Sequence, residues 1–323
     1  MGVRKLKEWI NWIVPEAKQS PNWDDLSGKC VAVDIMNIIF DVKGIKIPLL
    51  PYIALFISEL KKLNISPVFV FDGPPPDIKK SITTKRQEKT FAAKALIDKG
   101  ETKINLNTYR DSIVVDRNDR QNVKKLCYAC GIPFINAKHE ADDVLANLSK
   151  TGEVYAVISS DMDMLARGVK LLISPDIMYR QILYPGESFG WIEYDLTLIL
   201  KKSRLNESQF TKMCVLMGCD YTEGCISINY HSAYMMAKRF DNIIDMLNLV
   251  KITNYLPYIK AYNQLTYSDT LDNLSYSCDV FEKWKIGELT GEPDSLKTMR
   301  LELLADLPIN NFKILMGQSI EIA

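Results

Sequence analysis

Apolar residues recur along the chain at two periods, and the two alternate. Val3, Leu6, Ile10 and Ile13 stand at helical spacing and predict an amphipathic helix over residues 2–13. Cys30-Val31-Ala32-Val33 is instead a continuous apolar run that ends in Asp34, the pattern of a buried parallel strand. A helix follows over 48–63, with Leu55, Ile57, Leu60 and Leu63 on its apolar side. Pro67–Phe71 reads as a second strand, ending in Asp72. Residues 90–117 are polar and weakly periodic, and predict a mobile helical insertion. Val123–Cys130 resumes a helix, Gly131–Ile135 is a third strand, a helix opens at Glu140, and Val154–Ile158 is a fourth strand. This order predicts an α/β fold with a mostly parallel sheet flanked by helices. Short strands and turns are expected over 168–191, broken by Pro175, Pro185 and Gly186. From Glu193 the pattern is helical to the end. Asn206 with Gln209 forms a capping box, Phe210, Met213, Cys214 and Met217 share one face, and Gly218 stops that helix. The next helix is expected over about 232–240. The expected organisation is a core over 1–192 and a helical region over 193–323, packed as one compact unit, with a helix–turn–helix at about 206–240.

Composition narrows the setting. The chain has 323 residues, 47% hydrophobic and 25% charged, as globular proteins do. Lysine plus arginine equals aspartate plus glutamate, 40 each, so only local charge can point to a polyanion. Seven scattered cysteines include one Cys-x-x-Cys pair, Cys127 and Cys130, and the only histidines are His139 and His231, which does not suit structural zinc. Reduced intracellular thiols are the simpler reading. The N-terminus lacks a secretory apolar core, and Leu6 stands where a myristoylation signal needs Ser or Thr. The longest apolar run, Ile45–Ile57, is interrupted by Lys46, Pro48 and Pro51, so no membrane span is expected.

The candidate chemistry lies in acids at element ends. Asp34 and Asp72 end parallel strands, where open α/β sheets place their sites. Glu140 and Asp142 open a helix. Asp161 and Asp163 are expected at the end of the fourth strand, where alternation would project both carboxylates to one side. Such a cluster cannot stay ionised without positive charge among it, and divalent cations on oxygen ligands supply that charge. The alternative, solvated acids at element ends, is not excluded by the Glu140–Asp163 stretch alone. Between Lys79 and Lys89 stand five bases (Lys79, Lys80, Lys85, Arg86, Lys89) and one acid, a local charge of +4. Lys79 and Arg86 are seven apart, hence on one helix face, and could grip a phosphodiester or simply solubilise that face. Arg4, Lys5 and Lys7 offer the same two readings. Phe40 is either core or a stacking platform for a base. Lys238 and Arg239 could sit on a nucleic-acid backbone.

Taken in order, these motifs resemble the flap endonuclease/XPG family of structure-specific 5′ nucleases. Met1-Gly2-Val3 is similar to the family's start, where the processed glycine lies near the active site. Val33-Asp34, Val70-Phe71-Asp72-Gly73-Pro-Pro, Gly131-Ile-Pro-Phe with Glu140-Ala-Asp142, Asp161-Met-Asp163 and Met217-Gly-Cys-Asp220-Tyr221 match its motifs across residues 1 to about 240. Asp142 replaces the usual second glutamate, keeping the charge but shortening the reach. The resemblance implies a PIN-like fold with a helical arch at about 77–117 and a C-terminal helix–two-turn–helix. It implies two Mg²⁺ ions, replaceable by Mn²⁺, held by Asp34, Asp72, Glu140 and Asp142 and by Asp161, Asp163 and Asp220. Lys79 and Arg86 would face the scissile phosphate, Phe40 would stack on the terminal base, and Gly2, Lys80 and Lys85 would lie along the DNA.

One motif departs from the pattern. Where the family carries Gly-x-Gly-Pro-Lys-x-Ala, this chain has Ser227-Ile-Asn229-Tyr230-His231-Ser-Ala233. Glycine at such a turn permits close approach to phosphate, so the duplex grip and the family's K⁺ site are in question here. Ser227, Asn229 and His231 remain candidate DNA contacts, with Asn229 expected in a left-handed turn. The C-terminal end lacks the family's sliding-clamp peptide. The implied activity is 5′-flap endonuclease and 5′–3′ exonuclease action on DNA with a flap, nick, gap or duplex end, by a monomer in replication, repair or recombination. The alternatives are a non-cleaving scaffold at forks and a 5′–3′ exonuclease on RNA. The chain reads as a divergent, compact member of the family, working in the nucleus or in a viral replication compartment of the cytoplasm.

Overall fold

The structure, a computed structural model, describes residues 2–44, 48–74, 80–99, 106–175, 191–267 and 275–276. Its strands are β1 (Lys18–Gln19), β2 (Cys30–Asp34), β3 (Ser66–Phe71), β4 (Phe134–Asn136), β5 (Ala156–Ile158), β6 (Leu171–Pro175), β7 (Trp191–Asp195) and β8 (Ser275–Tyr276). They form one sheet in the order β1-β7-β6-β5-β2-β3-β4-β8. The five inner strands, β6 to β4 in that order, pair in parallel, and the outer pairings are antiparallel. Parallel strands need both faces covered. Hence Val31, Ala32 and Val33 of β2, and Val68 to Phe71 of β3, are all inaccessible to solvent.

Alternation divides these residues between two cores. Val31, Val33, Phe69 and Phe71 pack with the helices Ile35–Gly44, Leu49–Lys62 and Arg117–Cys130. Ala32, Val68, Val70 and Val157 pack on the other face with the helix Ala141–Thr151 and with helices from both ends of the chain. On that second face Trp9, from the helix Leu6–Ile13, meets Phe210 at 5.8 Å and Tyr234 at 5.6 Å between ring centroids. The N-terminal helix is thus bound to the helices Glu207–Met217 and Tyr230–Arg239.

The structure redraws several expected boundaries. Gly131 is the left-handed cap (φ 63°) of the preceding helix, so the third strand begins at Phe134. The helix expected near Lys79–Lys89 extends from Lys80 to Asp98, through part of the segment expected to be insertion, because Ala93 finds a buried position. A second short helix, Leu106–Asp111, packs against it. Strand β7 crosses residue 193, since Trp191 and Tyr194 bury their rings and the strand pairs with β6, so the C-terminal helices begin at Leu196. The Asn206–Gln209 capping box is present, with both reciprocal bonds formed.

The largest correction concerns Asp161 and Asp163. Strand β5 ends at Ile158, and neither acid lies on it. Asp161 sits in the following turn and Asp163 opens the four-residue helix Asp163–Ala166. Their carboxylates come together through turn geometry rather than strand pleat.

Replacing Trp9 by alanine removes a fully buried ring and leaves a cavity, at a cost of about 3–5 kcal/mol. Urea unfolding of Trp9→Ala should show that loss; a midpoint like that of the unaltered protein would mean the N-terminal helix is not needed to hold the C-terminal helices.

Candidate metal centre

Strands β2, β3 and β5 point their C-terminal ends to one edge of the sheet, and the acids gather there. Asp34 ends β2 and is only 4% exposed. The Asn37 backbone N–H and side-chain amide donate to it, as does the Ser159 hydroxyl at 2.9 Å. Ser159 in turn accepts from the Asp161 N–H at 3.1 Å, which ties the ends of β2 and β5 together. Asp72 follows β3 and accepts the N–H of Ala141 at 2.8 Å, fixing the helix that carries Glu140 as its cap and Asp142 in its first turn. Gly73 allows this approach: a Cβ there would lie 2.3 Å from the Ala137 carbonyl.

On the other side, Asp161, Asp163 and Asp220 each place a carboxylate oxygen within 4.8 Å of the others. The Asp163 N–H donates to Asp161 Oδ1 at 2.8 Å, and the Asp220 N–H donates to Asp163 Oδ2 at 3.3 Å. Asp220 stands in the turn closed by Cys219 and Thr222. The N-terminus clasps that turn, with the Arg4 N–H on the Gly218 carbonyl and the Arg4 guanidinium on that of Glu223. Gly2 lies against the same acids at φ +95°. A Cβ there would fall 2.2 Å from Asp161 Oδ1 and 2.9 Å from the Asp163 nitrogen.

The electrostatics describe a site short of positive charge. Burial, then the charges of Asp142 and Asp72, push Asp34 well above the usual carboxylate range. Burial with Asp142 and Asp220 pushes Asp161 up to about 6, and burial with Asp161 and Asp220 raises Asp163 strongly. Asp142 acts on Asp34, Asp161 and Asp163 alike, so it lies electrically between the two groups of acids. Asp163 is 1% exposed, and its Oδ1 has no hydrogen-bond partner among the described residues. A buried carboxylate oxygen without a partner is costly, and a cation bound among these oxygens removes the cost. The donor set, all oxygen and nearly all carboxylate, suits a hard divalent ion.

The other expected contacts vary. Lys79 lies outside the described residues. Lys80, Lys85 and Arg86 fall on the Lys80–Asp98 helix, with side chains outside the described set. Phe40 is half-buried on the Ile35–Gly44 helix. Ser227 and Asn229 are exposed, but Asn229 is not in a left-handed turn: at φ −94° it caps the next helix and accepts the Ser232 N–H at 2.9 Å. An asparagine before a helix gains more by satisfying an orphan N–H than by adopting a strained turn. His231 packs edge-on against Trp12, ring centroids 4.1 Å apart. Lys238 and Arg239 are exposed, over the rings of Tyr234 and Phe240.

Sequence reasoning gave no role to Asn37, Ser159, Tyr221, Asp143 or Arg167. Asn37, three residues after Asp34 on the emerging helix, had a local signal in its spacing. Arg167 had none, because nothing in sequence marks a buried arginine. Its guanidinium is ion-paired with Asp143 and donates to the Tyr221 hydroxyl, which donates to Glu140. These contacts with Arg167 and Glu140 hold the Tyr221 ring beside the acids.

A parallel-centred sheet flanked by helices, with acids converging at its C-terminal edge, defines a PIN-like α/β domain whose acid cluster could hold metal. Residues 1–93 match the XPG N-terminal domain and residues 131–220 the XPG I-region. The chain belongs to the flap endonuclease/XPG family. It is 35% identical over 199 residues to flap endonuclease 1 of Caenorhabditis briggsae, covering 60% of this chain and 50% of that protein. It spans about half the length of such curated relatives. Two solved structures share the fold. Flap endonuclease-1 of Methanococcus jannaschii has a TM-score of 0.57 at 21% identity, covering 89% of this chain and 95% of that one. The catalytic core of Rad2 in complex with DNA substrate has 0.59 at 20%, covering 94% and 100%.

Two outcomes follow from the site's charge and its crowding. A carboxylate raised in the folded state favours the protonated fold. Its contribution to the metal-free protein is therefore complete below about pH 3.8 and is lost as pH rises through about 6. A metal needs the ionised form, so Mg²⁺ should raise the melting temperature at pH 7.5 and scarcely at pH 5. At a hundredfold excess over Kd the gain is about 2.7 kcal/mol, a rise on the order of 4 °C. Equal Mg²⁺ shifts at both pH values would remove the acids from metal binding. Gly2→Ala should weaken the Mg²⁺-induced shift at pH 7.5, because the added methyl displaces Asp161; an unchanged shift would show that the N-terminus yields instead.

Proposed function

We propose that this protein is a structure-specific 5′ nuclease, hydrolysing DNA phosphodiesters at 5′ flaps and duplex ends with two divalent cations, Mg²⁺ or Mn²⁺. The observation that carries the reading is the gathering of Asp161, Asp163 and Asp220 within 4.8 Å of one another, with Asp34, Asp72 and Asp142 electrostatically coupled beside them and the buried Asp163 Oδ1 lacking a hydrogen-bond partner among the described residues. The matching family domains and the acid motifs they contain support it.

In this reading Asp34, Asp72, Glu140 and Asp142 hold mainly one ion and Asp161, Asp163 and Asp220 mainly the other, with Asp142 between them. Ions held there would supply polarisation of the phosphate, activation of the attacking water and stabilisation of the leaving 3′ oxygen, which would give products with a 5′-phosphate and a 3′-hydroxyl. The chain's own groups prepare that geometry. Asn37 and Ser159 orient Asp34, the Ala141 N–H orients Asp72, and the Asp163 and Asp220 amides orient Asp161 and Asp163. Gly2 keeps the approach to Asp161 narrow. Lys79 and Arg86 are assigned to neutralising charge that develops on the phosphoryl oxygens. Phe40 is assigned to stacking on the unpaired terminal base, worth about 1–3 kcal/mol against the cost of unpairing.

The partner is DNA. With Asn229 used as a helix cap and His231 packed on Trp12, duplex contact at this turn falls to the exposed Ser227 rather than to a glycine-rich loop, with Lys238 and Arg239 exposed at the far end of the following helix, and the K⁺ site is not carried over. No helix among the described residues is long and apolar enough to cross a membrane. The site of action is proposed as the nucleus; the comparisons give a viral compartment no support.

Incubation with 5′-flap DNA, nicked duplex and single-stranded RNA, with Mg²⁺ or chelator, tests the reading. Flap cutting with Mg²⁺ alone is expected, and Asp163→Ala should abolish it while leaving DNA binding. Binding of flaps without cutting under Mg²⁺ or Mn²⁺ would make the protein a fork scaffold; cutting of RNA alone would make it an RNA exonuclease.

A further inference from the structure

Arg167 is the feature of the site that the acid motifs do not account for. Its side chain is wholly buried, in the residue that follows the short helix Asp163–Ala166. An arginine cannot shed its charge, so its burial requires partners. It has four. One guanidinium nitrogen, Nη1, pairs with Asp143. The other, Nη2, donates to the Tyr221 hydroxyl and stands 3.6 Å from Glu140 Oε2 and 3.7 Å from Asp142 Oδ2. The direction of each bond is fixed by chemistry. Guanidinium can only donate, so the Tyr221 oxygen accepts, and the single Tyr221 proton goes to Glu140 Oε2.

Two consequences follow from this geometry. Arg167 stands at ion-pair distance from one oxygen of each acid, Oε2 of Glu140 and Oδ2 of Asp142, and so draws both carboxylates toward the same point by charge. Asp143 largely neutralises Arg167 at close range, so the pair presents little net charge to an incoming cation; without Asp143, Arg167 would repel it. Asp143 follows Asp142 directly, which places the neutralising acid on the same first turn as the acids to be positioned. The shorter reach of an aspartate at position 142 makes such fixing more important, since fewer rotamers can bring its oxygens to an ion.

We propose that Arg167, held by Asp143, is the positioning residue of the metal centre: an internal cation that sets Glu140 and Asp142 as a ligand pair before any metal arrives. This rests on the metal-site reading above. Ligands held in place lose less freedom on binding an ion, so the effect falls on metal affinity. Removing an outer partner of this kind typically weakens metal affinity by about 10–100-fold.

The test is Mn²⁺ binding in the absence of DNA, by titration calorimetry and by electron paramagnetic resonance of free Mn²⁺. Arg167→Met combined with Asp143→Leu removes both charges and leaves no buried acid without a partner. The expected result is a folded protein whose Mn²⁺ Kd rises about 10-fold or more, with the Mg²⁺ concentration for half-maximal cleavage rising in parallel and maximal cleavage largely recovered at high Mg²⁺. Arg167→Lys, which keeps the charge but not the fork, should fall between. An unchanged Mn²⁺ affinity in the folded double variant would overturn the proposal and make Arg167 a packing cation. Should the double variant not fold, Arg167→Lys and Tyr221→Phe carry the same measurement, and wild-type affinity in both overturns it equally. Failure of the unaltered protein to bind Mn²⁺ would instead refute the metal-site reading.

Discussion

Mutual repulsion among carboxylates is the constraint on which this structure depends. Asp34, Asp161 and Asp163 are buried and raised, each by burial first and by its neighbours next. No sequence would hold such a set for stability alone, since an uncompensated buried charge costs several kcal/mol. The surrounding structure lowers that cost by donation. Backbone amides of Asn37, Ala141, Asp163 and Asp220, the Asn37 amide and the Ser159 hydroxyl all point at carboxylate oxygens. A deficit remains at Asp163 Oδ1, which has no hydrogen-bond partner among the described residues and which a bound cation could meet.

The fold's layers serve this arrangement. A parallel sheet brings the C-terminal ends of β2, β3 and β5 to one edge, and the helices that cover it must supply the remaining acids. The Ala141–Thr151 helix brings Glu140 and Asp142, and the turn after Glu207–Met217 brings Asp220. Those last contacts hold only if the C-terminal helices stay docked. Trp9 docks them through Phe210 and Tyr234, and Arg4 clasps the turn itself. The N-terminal segment therefore does two things at once: it joins the helical layer together and sets Gly2 against Asp161. Trp12 of the N-terminal helix packs with Tyr230 and His231 at the start of the helix Tyr230–Arg239, so the same segment also closes the turn before that helix by aromatic contact.

Most of the α/β order was legible in the sequence, for local reasons. Short, continuous valine-containing apolar runs ending in Asp34 and Asp72 fit buried parallel strands, and the Asn206–Gln209 capping box declares its helix without tertiary help. The acids that gather at the sheet edge were legible too, because each stands in a short motif of fixed residue type and spacing. What misled was geometry read too literally. Asp161-Met-Asp163 has the spacing of strand neighbours, but a turn held by Ser159 produces the same convergence without any strand. Asn229 has the residue type of a left-handed turn, but a waiting helix N-terminus outbid that preference.

Sequence by itself picked out the acids that the fold brings to one sheet edge, since a carboxylate just beyond an apolar run declares itself by type and position. Only the tertiary structure decided which charge stands behind them. Arg167 lies 24 residues from Asp143 and 54 from Tyr221, so no local pattern could mark it as the cation beneath Glu140 and Asp142. Burial turns an ordinary surface residue type into a fixed charge, and burial is a property of the packed molecule, not of the order of its residues.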